Sequence, residues 1–291
     1  MIPPMPRIAG PWKRVVEYPT NHLNDFCIFR DRQGTWHIIG IQGSGKGGSE
    51  TSLFHCSCPE LLGQYEKHPA ILGETAGAAV PGTENRRTGV HAPFVVERGG
   101  VYHLFYRRPY GTILRVRTQD PYRWAGPGEL VFEAQDARDV CVVSAGDEYW
   151  MYYCQYERVE NAWRSCIFRR RSPDLEHWSE PVIVYVDRMK THDWSYLESP
   201  CVVRRPEGCY LFIRHRLLDE RCTTIVLFSE QPDRFPQGER PWLGEFDFVH
   251  APEIVEVDGR FYIARVSGAR HANPFAPLAG GWVEIAELVF S

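Results

Sequence analysis

Three acidic residues open apolar runs at corresponding points of a recurring pattern: Asp25 in NDFCIF, Asp139 in RDVCVV and Glu198 in ESPCVV. Two further copies open with His91 and Ala92 in HAPFVV and with His250 and Ala251 in HAPEIV. Asn24 and Arg138 directly precede the two aspartates. A single acid at a strand start is ordinarily solvated surface. Three acids delivered to one place are a reagent, because cleaving a glycosidic bond needs one carboxylic acid to protonate the leaving oxygen and a carboxylate to attack or to activate water. Crowding like charges raises at least one pKa and keeps an acid protonated near neutrality. Arg138, next to Asp139, would moderate that repulsion or hold hydroxyl groups.

The elements that must position these residues repeat along the chain. A short apolar run, a glycine-containing turn and an aromatic-rich second run recur from Asn24, His91, Arg138, Glu198 and His250. Each copy reads as a β-hairpin whose turn carries Gly34, Gly100, Gly146, Gly208 or Gly259, where a positive φ is cheap. A third strand and a polar, proline-rich turn follow, as in CIFRRRSPDLEHWSEPVIVY, and lead toward a fourth. Four antiparallel strands repeated about every 50 to 60 residues are the signature of a propeller blade. The expectation is an all-β, five-bladed β-propeller spanning 1–291 as one domain, with blade cores starting near 24, 91, 138, 198 and 250. The segment from Trp12 to Val16 is expected to supply an outer strand of the last blade, which GGWVEIAELVF helps to close.

In such a ring the first strand of each blade lines the axis, so the strand starts meet at one mouth. Loops after the second strands open on the same face, which nominates Gln42, Arg107, Gln155, Arg214, His215 and His271 as wall residues. Each alone is as well explained as a solvated loop residue. Trp194, just before Glu198, would stack on a sugar face or anchor its own loop. Asp136 and Asp193 are spare acids near the trio. Arg107, Arg108, Arg214 and Arg216 suggest an anionic substrate, against the plainer reading that they pair with neighbouring acids. Cys27, Cys141 and Cys201 occupy equivalent axial positions; core packing explains them better than a metal site.

At these residues the sequence resembles the five-bladed furanosidase propellers, glycoside hydrolase families 43, 32 and 68. HLNDFCIF looks like the blade-one motif, which implies that Asp25 is the nucleophile (family 32) or general base (family 43). ARDVCVV resembles the Arg-Asp-Pro motif with Val140 in place of proline, and implies that Asp139 binds sugar hydroxyls and tunes the acid. LESPCVV is similar to the Glu-x-Pro motif of blade four, and implies that Glu198 is the general acid. Asp25 is followed by Phe26 and Cys27 where family 32 has Pro-Asn-Gly, and that family's β-sandwich domain does not fit this length. Retention and inversion stay open, with the N-D and R-D pairing on the side of retention, for which the carboxyls lie about 5 to 5.5 Å apart. The resemblance also implies a structural calcium near His250, against ordinary hydrogen bonding there, and no other cofactor; Glu253 is a further channel candidate.

Composition narrows the partners. The 291 residues carry a net charge of −4, so no basic field recruits nucleic acid or an anionic membrane. The N-terminus has no apolar leader and no 18-residue apolar stretch occurs, and nine cysteines without a disulfide spacing read as reduced thiols, which together point to the cytoplasm. The 9 Trp and 14 Tyr suit strands and sugar-stacking surfaces alike. The expected activity is hydrolysis of a terminal sugar from a small oligosaccharide, with Asn24, His91, Arg138 and His250 among the substrate contacts. Two alternatives stand beside it: phosphorolysis on the same fold, and a sugar-binding propeller without catalysis. Oligomeric state is left open.

Overall fold

The computed structural model of the protein describes residues 3–44, 49–73, 89–108, 111–189, 197–215, 223–268 and 280–291. Among these the regular elements are strands alone, arranged as five four-stranded antiparallel sheets. The first blade holds β2 (Asn21–Arg30), β3 (Trp36–Ser44), β4 (Ser49–Cys58) and β5 (Glu66–Ile71). The second holds β6 (His91–Arg98), β7 (Val101–Arg108), β8 (Thr112–Thr118) and β9 (Glu129–Glu133). The third holds β10 (Arg138–Ala145), β11 (Glu148–Val159), β12 (Ala162–Ser172) and β13 (Val182–Val186). The fourth holds β14 (Leu197–Arg205), β15 (Gly208–His215), β16 (Thr224–Ser229) and β17 (Gly244–Phe246). The fifth combines β18 (His250–Val257), β19 (Arg260–Gly268) and β20 (Gly281–Phe290) with β1 (Pro6–Tyr18) from the other end of the chain.

The ring order follows from contacts between the first strands: β2 touches β6, β6 touches β10, β10 touches β14, β14 touches β18, and β18 returns to β2. The fold is therefore a five-bladed β-propeller. Closure is antiparallel pairing of β1 with β20, from Pro6 opposite Phe290 to Tyr18 opposite Gly281. The strand containing Trp12 and Val16 thus joins the last blade, and it is longer than the sequence suggested.

The hairpin turns explain the glycines, with one difference. In blade five the two-residue turn is Asp258 at φ 50° and Gly259 at φ 77°, a conformation glycine takes without a Cβ penalty. In blade four the turn is Pro206–Glu207, and Gly208 instead opens β15. It is needed there because a Cβ would come 2.5 Å from the Ser229 carbonyl oxygen.

Packing comes from the two faces of each sheet. Alternate residues of a strand point to opposite faces, so in β7 Tyr102, Leu104 and Tyr106 pack toward blade one with Ile39, Ile41 and Leu53. Phe105 on the other face packs with Ile113, Met151 and Tyr153 toward blade three. Middle strands are thus buried on both faces, which is why they read as nearly continuous apolar and aromatic runs.

One inter-blade seam is polar. His37 and His55 are fully buried, their rings stacked at 5.2 Å with His37 Nδ1 2.9 Å from His55 Nε2. His37 Nε2 faces Asp31 Oδ2 at 3.2 Å, and Tyr122 from blade two lies edge-on to His37 at 4.9 Å. Burial, and then the neighbouring His37 and His68, push the His55 imidazole down to about 3. The unfolded chain takes up that proton near pH 6.5 while the folded chain refuses it, so stability falls as pH drops from about 6.5 toward 3, by about 1.4 kcal/mol per pH unit for one such group. Urea denaturation at pH 6.5 and pH 4.5 should show this loss, and His55→Gln should reduce it by about 2 kcal/mol; an unchanged slope in the variant would count against His55 as its source.

Candidate active site

Each first strand carries one residue more than its partner strand at the mouth of the axis. The irregularities fall between Asn24 and Phe26, His91 and Phe94, Arg138 and Cys141, Glu198 and Cys201, and His250 and Glu253. In blades two to five the bulged residue is left-handed: Ala92 at φ 45°, Asp139 at 57°, Ser199 at 50° and Ala251 at 49°. Such a conformation costs a non-glycine residue about 1–2 kcal/mol, and bulges of this kind re-aim side chains. Proline follows in HAP, ESP and HAP; a bulge is where a strand tolerates it. The second residue of each pair therefore lines the central pocket, with Asp25, Ala92, Asp139, Ser199 and Ala251 on its wall and Glu253 further along β18.

Asp25 and Asp139 meet at this pocket and Ser199 joins them, while Glu198 is not on its wall. The Ser199 Oγ donates to Asp25 Oδ1 at 2.8 Å, and its backbone N–H donates to Asp139 Oδ2 at 3.0 Å. Glu198, the preceding residue, accepts a hydrogen bond from Arg214 on the neighbouring strand β15. The Asp25 carboxyl is pushed well above the ordinary range by burial, then by the charges of Asp139 and Glu198, against the opposing hydrogen bond from Ser199. Glu253 is also pushed up, by burial first and then by Cys141 and Asp25. The pocket thus holds protons that isolated carboxyls would release.

Arg138 is a buried clamp rather than a free cation. Its guanidinium donates to Asp136 Oδ2 at 2.8 Å and to the Leu197 carbonyl at 2.9 Å, and its Nε lies 3.8 Å from Asp139 Oδ2. Asp136 also accepts from Arg107 at 2.5 Å, so this spare acid serves as counter-ion to two arginines. At the other side of the mouth His250 Nε2 lies 2.8 Å from Asn24 Oδ1 and 3.7 Å from Asp25 Oδ1. Asn24 Nδ2 donates to Glu50 Oε1 at 3.2 Å, and His91 Nδ1 lies 3.2 Å from Glu50 Oε2.

The remaining wall candidates meet protein partners. Gln42 bonds Asn21 at 3.3 Å and Ser52 at 3.1 Å within blade one. Gln155 is buried in β11 opposite Cys166. His215 does not reach open solvent: it is fully buried, with Nε2 3.2 Å from Asp187 Oδ2. Trp194, His271, Asp193 and Arg216 lie outside the described residues. Among the described residues no group of three or more His, Cys, Asp or Glu could hold a metal ion. Sequence reasoning missed Glu50 and the bridging role of Ser199; only the strand register reveals either.

The architecture is shared with known enzymes. No protein-family model matches the chain, and no curated protein matches it. Among solved structures, it is similar to the RS223 β-xylosidase at 14% identity, covering 97% of this chain and 96% of that one, with a TM-score of 0.68. It is similar to a GH43_1 enzyme from Xanthomonas citri complexed with xylotriose at 13% identity, covering 96% and 90%, TM-score 0.66. It is also similar to the Bombyx mori GH32 β-fructofuranosidase BmSUC1 at 16% identity, covering 95% of this chain and 62% of that one, TM-score 0.68. These likenesses show the fold of the five-bladed propellers.

The left-handed bulges make a test independent of any activity. Ala92→Gly should leave stability unchanged or raise it by up to about 1 kcal/mol, whereas Ala92→Val should lower it by more than about 1 kcal/mol. Equal denaturation midpoints for both variants would contradict the strained conformation.

Proposed function

We propose that the protein is a glycoside hydrolase that removes a terminal sugar from a small, uncharged oligosaccharide, with furanosides the first substrates to try. The observation that carries this is the meeting of Asp25 and Asp139, from two blades, around Ser199 in one axial pocket, with Glu198 of a third blade close enough for its charge to act on Asp25. The fold shared with xylosidase and fructofuranosidase structures supports it. Asp25 serves as base or nucleophile, Glu198 as general acid, and Asp139 as the neighbour that sets their ionisation and binds hydroxyls. Asn24, His91 and His250 line the approach. Arg107, Arg138 and Arg214 already face Asp136, Asp139 and Glu198, which supports a neutral substrate over an anionic one. A reducing cytoplasm is the compartment that suits the eight described cysteines, all of them buried and free.

The chemistry follows from the crowding. Glu198 gives a proton to the leaving oxygen while Asp25, ionised, attacks the anomeric carbon or takes a proton from the attacking water. Asp25 works only after losing its proton, and its neighbours make that loss harder. Activity is therefore lost on the acid side at a pH above the ordinary carboxylate range.

On a panel of aryl glycosides, Asp25→Asn and Glu198→Gln should each lower kcat by about 10²–10⁴-fold with the fold intact. Full activity in both variants would end the proposal, and turnover that requires phosphate would replace hydrolysis by phosphorolysis. The pH profile gives a second check with a fixed sign. Asp139→Asn removes a charge that raises the Asp25 pKa, so the acidic limb of kcat/KM moves to lower pH; Ser199→Ala removes a hydrogen bond that lowers it, so the limb moves to higher pH. Shifts in one common direction would refute the assignment of that limb to Asp25.

A further inference from the structure

Beside the pocket a chain of polar contacts links blades two, one and five and comes within 3.7 Å of Asp25. Its far end is Glu50 on β4, a residue without a role in the reaction described above. The Glu50 side chain is 18% exposed and sits between His22 Nε2, 3.4 Å from Oε1, and His91 Nδ1, 3.2 Å from Oε2. Burial opposes its ionisation, but the hydrogen bonds and charges of His91 and His22 hold its carboxyl well below the usual range. An ionised carboxylate only accepts hydrogen bonds. The group of Asn24 that faces it at 3.2 Å is therefore the amide nitrogen, which turns Oδ1 toward His250. That oxygen also only accepts, so the His250 Nε2 lying 2.8 Å away carries a hydrogen. The same Nε2–H is 3.7 Å from Asp25 Oδ1.

Each link removes a choice from the next. Glu50 decides which way the Asn24 amide points, Asn24 decides which His250 nitrogen is protonated, and His250 thereby presents a donor and never a lone pair to Asp25. The members come from separate elements: His22, Asn24 and Asp25 on β2, Glu50 on β4, His91 on β6 and His250 on β18. Gly89 leaves the space that the His91 ring occupies, since a Cβ there would come 2.1 Å from its Nε2. The other groups facing Asp25, namely Ser199, Asp139 and Glu198, arrive from blades three and four and take no part in this chain.

We propose that Glu50 is a positioning residue for Asp25, acting through the Asn24 amide and the His250 imidazole to keep the hydrogen-bearing Nε2 of His250 on the side of the carboxylate. This rests on the reading of Asp25 as base or nucleophile for its catalytic meaning, but the link can be measured without turnover. Proton–nitrogen correlation spectra of the histidine rings report which nitrogen carries the hydrogen. In the whole protein His250 should be the Nε2–H form alone. Glu50→Leu should turn it into a mixture or into the Nδ1–H form, whereas Glu50→Gln, which keeps an acceptor oxygen for Asn24, should preserve it. Should Glu50→Leu not fold, Asn24→Leu cuts the same chain one step later and should produce the same change. An Nδ1–H form in the wild type, or an unaltered His250 signal in the severed variants, overturns the proposal. On a glycoside the wild type cleaves, Glu50→Leu should lower kcat about tenfold with KM changed less than about threefold, whereas Glu50→Gln should keep most of the activity. A change confined to KM would show that Glu50 acts by another route. Absence of wild-type cleavage would overturn the function proposed above and not this link, which the ring spectra decide.

Discussion

At the mouth of the axis, five strands each hold one residue more than the strands they pair with. In a regular strand the side chains alternate between the two faces of the blade, and in this propeller both faces are occupied by neighbouring blades. No position of an unbroken strand is left to point at the centre. The extra residue, left-handed in four of the blades, breaks that alternation and turns Asp139, Ser199 and two alanines into the pocket beside Asp25. The cost in backbone strain is about 1 kcal/mol or more at each left-handed position. The inter-blade packing holds that strain in place.

The same constraint sets the electrostatics. Once bulges turn acids from blades one and three toward one cavity and carry blade four's Glu198 beside it, their charges oppose one another in a buried setting. The surrounding cations relieve this without entering the pocket: Arg138 is clamped between Asp136 and Leu197, Arg107 also turns to Asp136, and Arg214 turns to Glu198. The centre thus stays acid-rich while its rim is neutralised. That division suits a ligand made of hydroxyl groups, which can donate to carboxylates and carries no charge to be repelled by them.

Small alanines at two of the five wall positions matter as much as the acids. A larger side chain at Ala92 or Ala251 would take up space in the pocket that they line with Asp25 and Asp139. The layer beyond holds Cys27, Cys141, Cys201 and Glu253; the thiols of Cys27 and Cys201 and the carboxyl of Glu253 are pushed toward their neutral forms, Cys201 first by its hydrogen bond with Cys141 and then by burial, Cys27 and Glu253 chiefly by burial.

Much of this was legible from residues alone. Turn glycines and alternating apolar runs are local signals, so five hairpins, their starts and the approach of Asp25, Asp139 and Glu198 to one another followed from repetition once a ring was assumed. Proline after a small residue at the strand start, in HAP and ESP, was also visible, and it marks the bulges. What tertiary structure alone decided was which residue of each pair faces the axis, and which polar partner each side chain meets. Ser199 bridges two aspartates from other blades, Glu50 meets Asn24 within its own blade and His91 across a blade boundary, and His215 is buried against Asp187. Repetition within the chain reports local backbone preference, whereas these pairings depend on the twist and register of sheets far apart in sequence, which no short stretch of residues encodes.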